Sequence, residues 1–192
     1  MTELVLKPTS VAQWQALINE ACSSCQLSLN EDQESYLVFL LMRFLERTEL
    51  VNRVIALDFL RSASASGSLR CEQLRDVGDQ CLLYSGFFPN RAEKKRVKVS
   101  YFVKIGQSAY NQLSTLSAHS LASLYNLLAK DFVSLMDVLQ AVRAMGSDTP
   151  LLEPLTAMEL WQDTGSKMAL QSLQEGTQHN SVAIISSTKS KH

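Results

Sequence analysis

The sequence predicts an all-α fold, a single-domain bundle of about six to seven helices with short connections, and three observations lead to this expectation. The 192 residues include only 7 glycines and 4 prolines, whereas folds built from many short strands need frequent turn residues. Apolar residues recur at spacings of three and four in at least six segments, which is the period of an amphipathic helix. Several of these segments also begin or end at residues that favour helix caps.

The expected helices cover about residues 10–26, 31–47, 49–64, 69–84, 100–116, 118–145 and 155–174. Asn30 is a good N-cap for the second helix, with Gln33 three residues on. Gly86 is expected to close the fourth helix in the left-handed C-cap conformation. The sixth helix is expected to bend near Lys130–Asp131, and the seventh is expected to break at Thr164–Gly165.

The second helix is apolar on most sides, which predicts a central position. In the fifth helix, Gly106 costs up to ~1 kcal/mol relative to alanine. A close helix–helix approach, or a ligand resting on bare backbone, would offset that cost. Residues 1–175 are expected to form the helical domain and residues 176–192 a polar tail. In this tail the apolar run Val182–Ile185 could dock on the body or on a partner.

The composition is that of an ordinary globular protein, with 46% apolar and 19% charged residues. The net charge of −1 provides no global field that would steer the chain toward nucleic acid or a membrane. The N-terminus lacks the basic start and apolar run of a secretory signal, and no apolar run approaches the roughly 20 residues of a membrane span. These features predict a cytoplasmic protein whose cysteines are reduced and form no disulfides.

The four cysteines leave three interpretations open. Cys22 and Cys25 form a Cys-x-x-Cys pair on the apolar stripe of the first helix, which favours buried core thiols. A redox pair is the second interpretation. A zinc site completed by Cys71 and Cys81 is the third, although structural zinc pairs prefer knuckle turns.

Motifs for other chemistry are absent or weak, so the sequence predicts no catalytic residue, no metal site and no cofactor. No Glu-x-x-His, Gly-x-Ser-x-Gly or phosphate-loop motif occurs. Glu72, Asp76 and Asp79 share one face of the fourth helix and could bind a divalent cation. Because Arg70 and Arg75 are near enough to neutralise them, a solvated face is the preferred interpretation.

Residues 91–98 hold five bases against one acid, which is the strongest local charge contrast in the chain. The bases are Arg91, Lys94, Lys95, Arg96 and Lys98, framed by Phe87, Phe88, Tyr101 and Phe102. Clustered bases beside aromatic side chains suit phosphate groups, nucleic acid or an acidic protein surface. Residues 1–50 hold seven acids against three bases, so this chain or a second copy could supply the acidic surface. A solvated loop anchored by its aromatics is the alternative.

Two stretches resemble a group of uncharacterised bacterial all-helical proteins. They are Val77-Gly-Asp-Gln-Cys-Leu-Leu-Tyr-Ser-Gly-Phe-Phe-Pro89 and Val97-Lys-Val-Ser-Tyr-Phe-Val-Lys-Ile-Gly-Gln-Ser-Ala-Tyr110. In that group a Ser-Gly-Phe-Phe turn leads through a charged loop into a Tyr-Phe-x-x-x-Gly-x-x-Ala-Tyr helix. The resemblance implies a bacterial, cytoplasmic origin and marks residues 84–110 as the segment of interest. The group has no established activity, so the resemblance assigns no role to a residue.

Three functional hypotheses follow, and whether the chain is an enzyme stays open. The first is a non-enzymatic helical module that binds a protein partner or forms a homodimer. The second is a small-molecule binding protein or enzyme with a pocket between helices, lined by Tyr84, Tyr101, Gly106, Ala109 and Tyr110. The third, less favoured because the net charge is not positive, is nucleic-acid binding through residues 91–98.

Overall fold

The structure, a computed structural model, describes residues 10–46, 55–90, 97–147 and 150–176, and its regular elements there are all helices. The helices of these ranges are α1 (Ser10–Ser24), α2 (Glu31–Glu46), α3 (Ile55–Ser64), α4 (Gly67–Gly86), α5 (Val99–Leu116), α6 (His119–Lys130), α7 (Phe132–Met145), α8 (Pro154–Thr164) and α9 (residues 167–176), and residues 89–90 are also helical. The predicted all-α bundle is confirmed. The expected start of the third helix and the tail beyond Gly176 lie outside the described residues.

The number of helices exceeds the expected six to seven because two of the predicted helices are each divided. The predicted sixth helix breaks at Asp131, and the predicted seventh breaks at Gly165, whose φ of 74° is left-handed. Both interruptions lie where the sequence places them. None of the described helices combines the length and the apolar character that crossing a membrane requires.

The predicted capping box at the start of α2 is confirmed. The side-chain oxygen of Asn30 accepts the Gln33 backbone N–H at 2.9 Å, and Gln33 Oε1 accepts the Asn30 N–H at 3.1 Å. The same Gln33 amide donates through Nε2 to Asp131 Oδ2 at 2.9 Å. One side chain therefore fixes the start of α2 and ties it to the junction of α6 and α7.

The central helix is α4, so the central position predicted for the second helix is wrong. Every residue from 77 to 86 is buried, because α3, α5 and α7 all pack against α4. By contrast, α2 leaves Phe39 and Leu45 about 60% exposed. Apolar character on most sides of α2 therefore reflects large side chains at the surface as well as in the core.

Gly86 lies inside the last turn of α4, which contradicts the predicted left-handed C-cap. Phe87 follows as the C-cap in the right-handed region, with φ of −92°. A Cβ added at Gly86 would lie 2.6 Å from the Cβ of Leu139 on α7. Glycine at this position therefore allows α4 and α7 to approach closely, and its conformational freedom is not used.

Helices α4 and α5 run antiparallel, so the start of each helix lies beside the end of the other. Near the C-terminus of α4, Tyr84 stacks on Phe102 of α5 with ring centroids 5.3 Å apart. Near its N-terminus, Arg70 Nη2 donates to Gln112 Oε1 at 3.3 Å. The start of α4 and the end of α5 therefore lie at one end of the molecule.

Candidate functional site

The Asp79 carboxylate of α4 is 2% exposed and receives side chains from two other helices. Tyr36 of α2 and Tyr110 of α5 donate their hydroxyls to Oδ1, at 2.5 Å and 2.7 Å. Arg43, also on α2, forms an ion pair through Nη2 with Oδ2. We call Tyr36, Arg43, Asp79 and Tyr110 the Asp79 network. It joins three helices through one buried carboxylate.

Aromatic rings pack around this network. Tyr125 of α6 stacks on Tyr110 at a centroid distance of 6.1 Å and meets the edge of Tyr36 at 6.5 Å. On the other side, Gly78 lies under the Tyr110 ring, since an added Cβ would be 2.4 Å from it. These contacts hold the Tyr110 hydroxyl in place and exclude water from the carboxylate.

Burial raises the pKa of the Tyr36 and Tyr110 phenols above their ordinary range. The Arg43 guanidinium opposes this effect at both residues, but burial is the larger influence. Both phenols therefore stay protonated near neutral pH and donate hydrogen bonds to Asp79. This chemistry suits a fixed link between helices and does not suit a nucleophile or a general base.

The acids Glu72, Asp76 and Asp79 do not share one solvated face, so that interpretation is wrong for Asp79. Glu72 is exposed, and Asp76 forms a peripheral ion pair with Arg75 at 3.7 Å. Asp79 is enclosed because α2 and α5 supply its partners. Among the residues that the structure describes, no group of three or more His, Cys, Asp or Glu side chains is placed to hold a metal ion.

A second buried carboxylate, Asp137 of α7, lies at the first turn of α9. Its Oδ1 accepts the Ser166 hydroxyl at 2.6 Å, and its Oδ2 accepts the Lys167 backbone N–H at 2.8 Å. Ser166 in turn accepts the Ala169 N–H at 3.1 Å, as an N-cap serine does. Burial raises the pKa of Asp137 to about 6, although these hydrogen bonds act to lower it. The only sequence signal for this site is a lone acid within an apolar helix.

The raised pKa of Asp137 predicts a pH dependence of stability. The folded chain keeps a proton on this carboxyl up to about pH 6, whereas an unfolded aspartate loses it near pH ~3.9. Between these values the folded state binds more protons, so the free energy of unfolding contributed by Asp137 falls as pH rises. We expect Asp137→Asn to remove this contribution, which thermal melts of both chains between about pH 4 and pH 7 would detect.

A second variant tests the direction in which the pH dependence of stability shifts. Ser166→Ala removes a hydrogen bond that lowers the pKa of Asp137, so the falling part of the curve should move to higher pH. Melting curves of wild type and Asp137→Asn that stay parallel across the whole range would contradict the assignment.

Most of the predicted basic cluster lies outside the described residues, namely Arg91, Lys94, Lys95 and Arg96. Lys98 is described, and its Nζ lies 3.3 Å from Glu159 Oε1 of α8. Two residues on, the Ser100 hydroxyl donates to Asp163 Oδ2 at 2.7 Å. The start of α5 is therefore bound to an acidic side of α8, and a cavity of about 280 Å³ lies between the two segments.

The proposed pocket-lining residues lie in two environments. Tyr84 and Tyr110 are buried, whereas Tyr101 is 43% exposed and packs edge-on against Phe102. Gly106 faces α7, where an added Cβ would lie 2.4 Å from the Phe132 ring. A close helix–helix approach therefore accounts for this glycine, and Phe132 fills the space above its backbone.

All four cysteines are free thiols, and three of them are buried, as the core interpretation expects. Cys25 donates its thiol to the Ala21 carbonyl at 3.0 Å. Burial raises the pKa of Cys22 to about 11 and also raises that of Cys25. Thiolates are the reactive form, so these two thiols are poorly suited to redox exchange or metal binding near neutral pH.

Four leucines at the α4-start end of the bundle are 45–65% exposed. Leu60 lies in the second half of α3, and Leu69 lies in the first turn of α4, three residues after the Ala65–Ser66 link. Leu116 ends α5, and Leu121 lies in the first turn of α6. The antiparallel packing of α4 on α5 places both links at the same end. We call Leu60, Leu69, Leu116 and Leu121 the leucine end.

The opposite end carries a second apolar surface, on α8. Leu155, Met158 and Trp161 follow one another at spacings of three and are 40–65% exposed. We call these three residues the α8 strip. Glu159 and Asp163 point to the start of α5, on a different side of the same helix.

No protein-family model, curated protein or solved structure matches this chain. The resemblance of residues 77–110 to helical bacterial proteins accordingly stays an expectation. The function is therefore inferred from the placement of the chain's own side chains.

Proposed function

We propose that this chain is a non-enzymatic helical interaction module that forms a homodimer through the leucine end. The observation that supports this most is that four exposed leucines lie beside two interhelical links at the same end of the bundle. Exposed apolar patches of this kind are typical of protein interfaces. Fully burying a leucine contributes roughly 1.5–3 kcal/mol. These four are 45–65% exposed, so each contributes about half of that on association.

Charges around the patch favour a second copy as the partner. Arg61 follows Leu60 and is exposed, and it forms a peripheral ion pair with Asp58 at 3.4 Å. Glu72 is exposed one turn after Leu69. In a two-fold symmetric contact, the same patch of each copy faces the other. A patch that carries both a positive and a negative side chain can therefore pair with a second copy of itself. Arg61 of one copy and Glu72 of the other would form two equivalent ion pairs.

The proposal also includes a cytoplasmic location and a bacterial origin. Support for a reducing compartment comes from the four free thiols, three of them in the core. The charge separation between residues 1–50 and residues 91–98 is a further feature expected of a chain that contacts other protein surfaces.

The dimer is tested by sedimentation velocity of the full chain over a range of concentrations. We expect a reversible dimer that the paired change Leu69→Glu and Leu121→Glu weakens by about a hundredfold, because it removes four half-exposed leucines from the two copies together, each worth about half of the ~1.5–3 kcal/mol of a fully buried leucine. Both leucines lie in the first turn of a helix, where a glutamate is favourable. The helices should therefore remain folded, which thermal melting verifies.

The matched control places the same two charges at the other end, as Leu155→Glu with Met158→Glu. We expect this variant to dimerise like the wild type. A wild-type chain that stays monomeric at all concentrations would refute the proposal, and so would dissociation caused by the α8 changes alone.

A further inference from the structure

The α8 strip lies at the other end of the bundle and needs a different occupant. We propose that the apolar run Val182–Ile185 of the same chain covers the α8 strip. The run belongs to residues 177–192, which lie outside the described structure, and its only neighbours in that segment are polar or basic residues. Because this site is remote from the leucine end, it goes beyond the proposed homodimer and stands or falls separately.

The length of the chain permits this contact. Two residues separate the end of α8 from the start of α9, and the ten residues of α9 span about 15 Å. Residues 177–182 span up to about 20 Å when extended. The apolar run can therefore return from the end of α9 to α8, which is itself about 16 Å long.

The anchoring of α9 fixes where the tail starts. Asp137 holds Ser166 and the Lys167 backbone, and Lys167 Nζ also donates to the Gln26 carbonyl at 3.1 Å. The first turn of α9 is thus bound to α7 and to the end of α1. The tail therefore follows a helix whose first turn is held near the end of α8.

Charge complementarity favours the same occupant. Helix α8 and its N-cap carry Glu153, Glu159 and Asp163 and no base. Residues 177–192 carry Lys189 and Lys191 and no acid. Glu159 and Asp163 already contact Lys98 and Ser100 at the start of α5. The exposed Glu153, two residues before Leu155, is therefore the acid that the tail lysines can approach while the run covers the α8 strip.

The strip contains its own reporter, Trp161. The chain has two tryptophans, so Trp14→Phe leaves Trp161 as the sole indole in the full chain. We expect Ile184→Asn with Ile185→Asn to increase acrylamide quenching of Trp161 about twofold, as the accessible indole surface grows when its apolar cover is lost. The matched control, Ser186→Asn with Ser187→Asn, places the same two amides beside the run without changing the charge of the tail and should leave quenching unchanged.

Two further measurements complete the test. Quenching that is independent of protein concentration supports docking within one chain, whereas protection of Trp161 that is lost on dilution would overturn it in favour of a second copy. Equal quenching in the Ile184/Ile185 variant and its control would also overturn the proposal. If Trp14→Phe does not fold, the Trp161 signal is obtained as the difference between the wild-type and Trp161→Phe chains, and the same outcomes apply.

Discussion

Replacing Asp79 with asparagine is expected to lower the free energy of unfolding by about 3–5 kcal/mol, because it leaves the partly buried Arg43 charge without its carboxylate. The amide can still accept the hydroxyls of Tyr36 and Tyr110 through its oxygen. Its NH₂ group, however, would replace the oxygen that faces the Arg43 donor. Urea denaturation or thermal melting would measure the loss, at about 2–4 °C per kcal/mol for a chain of this size.

The matched control is Asp76→Asn, three residues earlier on the same helix. Its ion pair with Arg75 is peripheral, so we expect a change of about 1 kcal/mol or less. Adding Arg43→Gln to Asp79→Asn should recover part of the loss, because the uncompensated charge is then removed. If Asp79→Asn and Asp76→Asn destabilise the chain equally, the Asp79 network does not hold α2, α4 and α5 together.

The second large change in the free energy of unfolding is expected at the contact between Gly106 and Phe132. Phe132 is fully buried, and Phe132→Ala is expected to cost about 3–5 kcal/mol through the cavity it leaves. Gly106→Ala alone should cost about 1–3 kcal/mol, because its Cβ would overlap the Phe132 ring. In the Phe132→Ala background the overlap with the ring is gone and only the Cβ of Cys81, 2.9 Å away, stays too close, so Gly106→Ala should cost clearly less there.

A double-mutant cycle from denaturant melts measures this difference in the cost of Gly106→Ala between the two backgrounds. Gly146→Ala serves as the control, since an added Cβ there meets nothing closer than 3.8 Å, and its effect should not depend on residue 132. Additive effects of Gly106→Ala and Phe132→Ala would show that the two positions do not touch.

The helices and their breaks were predictable because their causes are local. Asn30 and Gln33 satisfy each other within one turn, and Gly165 adopts the left-handed conformation that ends α8. Gly86 shows where this reasoning fails. The residue that requires a glycine there is Leu139, which is distant in sequence, so a packing glycine and a capping glycine are indistinguishable from local pattern.

The Asp79 network was beyond local prediction for the same reason. The spacing of Glu72, Asp76 and Asp79 identified a shared helix face, but the burial of Asp79 depends on Tyr36, 43 residues away, and Tyr110, 31 residues away. An acid in an amphipathic helix is ordinarily solvated. Asp79 is buried because α2 and α5 pack against it, and nothing in the sequence of residues 72–79 indicates this burial.

The Gln33 side chain has a consequence for how this chain can diverge. Its oxygen completes the cap of α2, and its nitrogen donates to Asp131 at the junction of α6 and α7. A glutamate at position 33 would preserve the cap but would face the Asp131 carboxylate with a like charge. Positions 33 and 131 are therefore expected to co-vary in descendants of this sequence, although 98 residues separate them.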